Sequence, residues 1–231
     1  MTSGADADKS RPMQRLGVLG GTFDPIHLGH LALADEVCTH LNLDRVIFVP
    51  AGVPPHKSAP LLNAHHRLEL VRLAVGSDPR FEVSEVEIGR AGPSYMIDTL
   101  ETLQRERPQA EWFLILGLDA FLPFESWRAP ERISAIAHLV VVSRPGCRFR
   151  DLEGGAYTRA VPTAVLDRLD QGQERPFDFP LASGRRLILM PVTPHDVSAT
   201  AIRAFLSGHE RRRNLLPAVV ESYIIGHNLY R

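Results

Sequence analysis

The 231-residue chain is short of several things, and each shortage excludes a class of protein. Its two cysteines, Cys38 and Cys147, lie far apart and in no CxxC pair. That excludes a disulfide framework and a cysteine-based zinc site, and it suits a reducing compartment. The densest apolar runs, such as Leu139 to Val142, fall well short of the ~20 residues a membrane-spanning helix needs. Met1 to Arg15 is small and polar, without the apolar stretch of a secretion signal, and reads as a disordered leader to a cytoplasmic protein. Net charge is close to nil, −1 from 26 basic and 27 acidic residues. The chain therefore lacks the basic surplus by which general nucleic-acid binders hold phosphate. Lysine is nearly missing as well: two of the 26 basic residues are lysines, Lys9 and Lys57, which leaves 24 arginines. Such a bias usually reflects genome composition, yet it marks Lys57 as the one lysine beyond the leader.

What is present is 44% apolar and 23% charged, enough to bury a sizeable core. At ~150 residues per domain the length allows one large domain or two small ones. Leu16 to Leu19, Arg45 to Val49, Trp112 to Leu116, His138 to Val142 and Leu187 to Met190 read as buried strands, and Phe81 to Glu87 as an edge strand. Between them Leu28, Leu31, Ala34, Cys38 and Leu41 fall at helical spacing, as do Leu68, Val71, Leu73 and Val75, Ile97, Leu100 and Leu103, and Ile202, Phe205 and Leu206. A last helix starts after Pro217 and runs through Val220, Tyr223 and Ile224. This alternation predicts an α/β fold, a parallel sheet with helices on both faces. Residues 146 to 186, broken by Gly154-Gly155, Gly172, Pro176, Pro180 and Gly184, read as a surface insertion holding one helix near Pro162 to Leu169.

The first strand runs straight into Gly20-Gly21-Thr22-Phe23-Asp24-Pro25-Ile26-His27-Leu28-Gly29-His30. Glycines there let a ligand approach the backbone, and the free amides of the helix that follows make an anion site. Asp24-Pro25 suits a helix opening. His27 and His30, three apart, share one face of the first turn and can donate hydrogen bonds to phosphoryl oxygens. Two histidines without an adjoining third ligand make a weak metal site. The stretch is neither a Gly-Lys-Ser/Thr phosphate loop nor a GxGxxG fingerprint. Ser198 suits a helix N-cap and Arg203 can reach a phosphate across that helix's first turn. Asp119, just after a strand, stands where open α/β sheets bind ligands.

Gly20 to His30 resembles the signature of the HxGH nucleotidyltransferase superfamily, and the fuller GGTFDPIHLGH is similar to that of the bacterial nicotinate-nucleotide adenylyltransferases. Pro54-Pro55-His56-Lys57 resembles that family's PPHK loop, Ser94-Tyr95 with Asp98-Thr99-Leu100 its SYTxxTL helix start, and Gly117-Leu118-Asp119 its GxD. Trp127 resembles its nicotinate-stacking tryptophan, Arg144-Pro145-Gly146 its RPG turn, and Ser198 to Arg203 its ISxTxIR element. The resemblance implies a Rossmann-like doubly wound parallel sheet, a single domain over residues 16–231 with C-terminal helices. It implies transfer of AMP from ATP to nicotinate mononucleotide in NAD biosynthesis, with Mg2+ carried on the ATP and no metal held by the protein alone. His27, His30 and Arg203 are then the catalytic group. Gly20, Gly21, Thr22, Phe23, Gly29, Gly117, Asp119, Ser198 and Thr200 belong to the ATP site. His56, Lys57, Tyr95, Thr99, Trp127, Arg128 and Arg144 belong to the mononucleotide site. Neither nucleic acid nor membrane is an expected partner; a homo-oligomer is left open.

In one place the chain departs from the pattern: Met96 stands where the family has a threonine whose hydroxyl helps recognise the nicotinate carboxylate. A thioether donates no hydrogen bond. Nicotinamide mononucleotide therefore stays open as an acceptor; separately, a phosphopantetheine adenylyltransferase and a non-catalytic nucleotide-binding module on the same fold are the rival readings.

Overall fold

Runs such as Val46-Ile47-Phe48-Val49 are apolar at every position because both faces of a parallel sheet are covered. The computed structural model describes residues 13–54, 62–76, 78–195, 197–207 and 215–230. The strands are β1 (Arg15–Gly21), β2 (Arg45–Pro50), β3 (Phe81–Val83), β4 (Glu111–Gly117), β5 (Ala137–Val142), β6 (Phe177–Pro180) and β7 (Arg186–Met190). They form one seven-stranded sheet in the order β3-β2-β1-β4-β5-β7-β6, parallel except for the antiparallel pair β6–β7. The helices are α1 (Leu28–His40), α2 (Ala64–Val75), α3 (Met96–Glu106), α4 (Leu118–Phe121), α5 (Pro130–Ile136), α6 (Thr163–Asp170), α7 (Ala199–Ser207) and α8 (Ala218–Gly226).

Alternate residues of each strand enter opposite cores. Leu16, Val18, Leu114 and Leu139 pack with α3, α5 and α6 residues on one face. Leu19, Phe48, Ile115 and Val140 pack with α1, α2 and α8 residues on the other. At about 1.5–3 kcal/mol for each large apolar side chain fully buried, these layers fix the sheet and thereby the loops at its edge. The chain winds outward from β1 through β2 to β3, then returns to β4 and winds the other way through β5 to β7. The carboxyl ends of β1 and β4 thus form the switch point at which open α/β sheets bind ligands.

Three expectations need correcting. The leader was drawn to Arg15, but Arg15 opens β1; residues 1–12 of it lie outside the described residues. The edge strand expected over Phe81 to Glu87 stops at Val83, after three residues paired to β2. The stretch 146–186 is more than a surface insertion, since Phe149, Leu152, Val161, Leu166 and Leu169 enter the core and β6 closes the sheet edge. Its glycines and prolines mark turns; its apolar residues are too scattered to show a strand pattern. The helix expected within it is α6.

Candidate active site

β1 delivers the chain to the switch point, and the loop after it is held from several sides. Phe23 has φ 49°, an uncommon left-handed conformation, and the Asp24–Pro25 peptide is cis. His27 is the N-cap of α1 and is 1% exposed. Its backbone N–H donates to Nδ1 of His30 at 3.3 Å, and the two rings stack with centroids 3.7 Å apart. An Nδ1 that accepts leaves the proton of neutral His30 on Nε2, pointing away from the backbone. Burial lowers the His27 imidazole to about 4, helped by the Arg144 guanidinium. Burial also holds His30 well below its ordinary value, with His27 and Arg144 acting in the same direction. Both rings are therefore neutral at pH 7. Gly29 is required between them and α7: a Cβ there would come within 2.7 Å of Val197 and 3.2 Å of the His27 ring.

Across from α1, the start of α7 faces the same loop. The Ser198 hydroxyl accepts from the Ala201 N–H at 3.1 Å, so it caps the helix. Arg203 donates to the backbone carbonyl of Asp24 at 2.7 Å and to the Thr200 hydroxyl at 3.2 Å. The guanidinium thus docks on a carbonyl three residues before His27, on the loop that carries the imidazoles. A cavity of about 280 Å³ opens beside the imidazoles, walled by His27, Gly29, Arg144, Cys147, Thr193 and Val197. Nδ1 of His27 is buried and has no hydrogen-bond partner among the described residues, whereas buried polar atoms are ordinarily paired.

A second cavity, about 530 Å³, lies on the other side of the β1 and β4 ends, walled by Gly21, Glu87, Tyr95, Met96, Gly117, Trp127 and Arg128. Tyr95 is the N-cap of α3, and the Arg128 guanidinium lies 4.9 Å over its ring while pairing with Asp98 at 3.3 Å. Trp127 packs against Phe124 with ring centroids 5.4 Å apart. The methyl tip of Met96 lies against Gly20, where an added Cβ would meet it at 2.7 Å. Asp119 pairs with Arg144 at 3.8 Å, linking the β4 end to the first cavity.

His27, Gly29 and Arg144 line one cavity, with His30 stacked on His27 and Arg203 docked on the Asp24 carbonyl of the same loop. Ser198, which caps α7, and Thr200, which holds Arg203, do not line that cavity. Tyr95, Trp127 and Arg128 line the other. Gly20 and Gly21, the end of β1, and Thr22 and Phe23, the start of the loop after it, run between the two. Two residues expected at the mononucleotide site stand elsewhere. Arg144 lines the histidine cavity because it follows β5, on the far side of β4. Thr99 is 0% exposed and lines neither cavity; its hydroxyl donates to the Glu87 carboxylate at 2.6 Å, so it acts on the wall from behind. Burial pushes the Glu87 carboxyl up, opposed by the Thr99 and Ser94 hydroxyls. His56 and Lys57 lie outside the described residues.

Sequence reasoning missed Arg67, a 1%-exposed guanidinium on α2. It donates to the carbonyls of Thr22 (2.7 Å), Gly52 (3.1 Å) and Leu62 (3.0 Å), fastening the loop after β1 to the loop after β2. One arginine among 24 carries no mark in the sequence; only its neighbours Leu68 and Val71 on the buried stripe hint that position 67 turns inward.

Among the described residues no helix is long and apolar enough to cross a membrane, and no group of three or more His, Cys, Asp or Glu could hold a metal ion. The sequence profile of the family described as Cytidylyltransferase-like matches residues 18–205. The chain is 41% identical over 217 residues to the "Probable nicotinate-nucleotide adenylyltransferase" of Acidithiobacillus ferrooxidans, covering 94% of this chain and 95% of that one. It is 52% identical over 139 residues to the protein of the same name in Leifsonia xyli subsp. xyli, covering 60% and 68%. Its fold is similar to that of Plasmodium falciparum nicotinic acid mononucleotide adenylyltransferase complexed with NaAD, with TM-score 0.69, 17% identity, and 94% and 97% of the two chains covered.

Proposed function

The chain belongs to the nicotinate-nucleotide adenylyltransferases, within the cytidylyltransferase-like family, and from that premise we propose how its cleft performs the reaction. The protein is a nucleotidyltransferase that moves AMP from ATP to nicotinate mononucleotide, giving deamido-NAD and pyrophosphate for NAD biosynthesis. An oxygen of the mononucleotide 5′-phosphate forms the new bond to the α-phosphorus of ATP. The bond from that phosphorus to the bridging oxygen breaks, and pyrophosphate leaves with the electron pair. The attacking oxygen is already anionic, so no general base is needed; alignment and charge stabilisation are what the protein supplies.

The observation that carries this reading is the stacked, neutral His27–His30 pair facing the start of α7. Neutral imidazoles are donors without a desolvated charge of their own, and the bound triphosphate supplies the negative field they meet. His30 donates from Nε2, while Arg203, Arg144, Thr200 and the α7 amides receive the β- and γ-phosphates. Trp127, Tyr95 and Arg128 hold the pyridine end, the first by stacking and the others at the amides that open α3. Magnesium carried by the nucleotide would supply neutralisation of charge on the leaving pyrophosphate. Asp119, paired with the cavity residue Arg144 at 3.8 Å, is a carboxylate that would suit that mode. The reaction belongs in the cytoplasm. One observation favours a second acceptor: the pocket that Arg128 lines is also walled by Met96, which donates no hydrogen bond, and by the Glu87 carboxyl. The test is pyrophosphate release from ATP with nicotinate mononucleotide, nicotinamide mononucleotide or phosphopantetheine. Fastest release with the first is expected; release with phosphopantetheine alone refutes the reading.

A further inference from the structure

The loop that presents His27 is also gripped from the other end of the chain. α8 seats Val220 and Ile224 in the core, and the hydroxyl of Tyr223 lies 2.9 Å from Nδ1 of His66 on α2. Just before α8, the Leu215 carbonyl accepts the N–H of Leu28 in the first turn of α1 at 3.1 Å. Just after it, Asn228 and Tyr230 have φ 52° and 65°, a left-handed backbone that is uncommon for a tyrosine. Such conformations persist where surrounding contacts impose them. Here they turn the chain back, so that the half-buried Tyr230 hydroxyl donates to Oδ1 of Asp24 at 2.6 Å. Asp24 is 4% exposed and its own carbonyl accepts Arg203. One residue of the signature loop is thereby held at its carboxylate by Tyr230 and at its backbone by Arg203. Arg67 holds Thr22 two residues earlier.

The geometry points to Tyr230 as a positioning residue for adenylyl transfer: through Asp24 it fixes the loop from which His27 and His30 address the phosphates and on which Arg203 docks. The inference rests on the activity proposed above. Pro25 and Ile26 are buried, so a displacement of Asp24 reaches His27 with little slack. Burial and the neighbouring Asp24 both push the Tyr230 phenol upward, so it remains a donor at any working pH.

The test is Tyr230→Phe in the full chain, which keeps the ring and removes one hydroxyl. At saturating ATP and nicotinate mononucleotide, kcat should fall about tenfold, the scale of one charged-acceptor hydrogen bond, while KM for the mononucleotide stays within about twofold. Amide exchange of residues 22–30 in the ligand-free protein should quicken, and exchange in β4 and β5 should not. Asp24→Asn keeps a side-chain acceptor, and combining it with Tyr230→Phe should cost no more than Tyr230→Phe alone. Unchanged exchange over residues 22–30 overturns the proposal whatever the activity, and so does unchanged kcat with quickened exchange. Wild-type turnover is the separate control: its absence would defeat the proposed reaction, while the exchange result would still report on the loop.

Discussion

Around His27, side chains are fixed by contacts from distant parts of the chain: Arg67, Arg203 and Tyr230 each reach the loop after β1. Around Trp127 the wall is made by side chains at the starts of short local elements, Tyr95 and Met96 at α3 and Trp127 and Arg128 before α5. The phosphate end leaves few substitutions open, because Arg67 and Arg203 there also hold backbone carbonyls of the loop. The pyridine end exposes Arg128 and half-exposes Trp127, so one side chain can change without moving its neighbours. Chemistry common to a family is built from the fold, whereas the choice of acceptor is built from replaceable tips.

The largest break in that comparison comes from His30→Ala. Loss of a donor to developing charge should lower kcat by about 10²-fold or more with a modest change in ATP affinity. Steady-state pyrophosphate release and ATP titration measure the two, and unchanged turnover would remove His30 from the mechanism. At the other end, Trp127→Ala should raise KM for the mononucleotide about tenfold, the scale of one base–aromatic stack. KM for ATP should move far less; equal effects on both substrates would make Trp127 structural.

How far the sequence carried differs between the same two ends. β1, β2, β4, β5 and β7 were legible because each is a dense apolar run, and β6 was not, because a four-residue antiparallel edge alternates burial. His27 and His30 could be picked out by motif because a strand, a glycine turn and a helix start are contiguous in sequence, and Arg203 through the separate Ser198 to Arg203 element. Arg67 and Tyr230 could not, since their partners lie 45 and 206 residues away and are read only once the chain is folded. Thr99 was expected on the wall, yet helix phase carries its side chain inward to Glu87.

A pH experiment sharpens the comparison at the phosphate end. His27 is held at about 4 when folded, against an ordinary 6.5. Between those values the unfolded chain binds the proton that the folded chain refuses, so stability is complete above pH 6.5 and is lost as pH falls toward 4. His30 is shifted in the same direction and adds to the loss. From pH 7 to pH 5.5 the His27 contribution is roughly 1 kcal/mol. Chemical denaturation of wild type and His27→Gln at both pH values should show a smaller decline in the variant. Equal declines would mean that His27 is protonated in the folded protein.

The smallest effect tests the pyridine end by restoring what Met96 lacks. Its methyl tip lies on Gly20, so the thioether occupies wall space without offering a donor to an acceptor's carboxylate. Met96→Thr at the first residue of α3 shortens the side chain and adds a hydroxyl beside the free amides of that turn. One added hydrogen bond to a charged group is worth about 1.5 kcal/mol at the low end. Part of that is offset by the lost contact with Gly20 and by the lower helix propensity of threonine. The ratio of kcat/KM for nicotinate over nicotinamide mononucleotide should therefore rise about threefold, with kcat for the preferred acceptor little changed. A ratio that falls would show that the methionine itself selects the acid, by shape alone, and that the pyridine end is as fixed as the phosphate end.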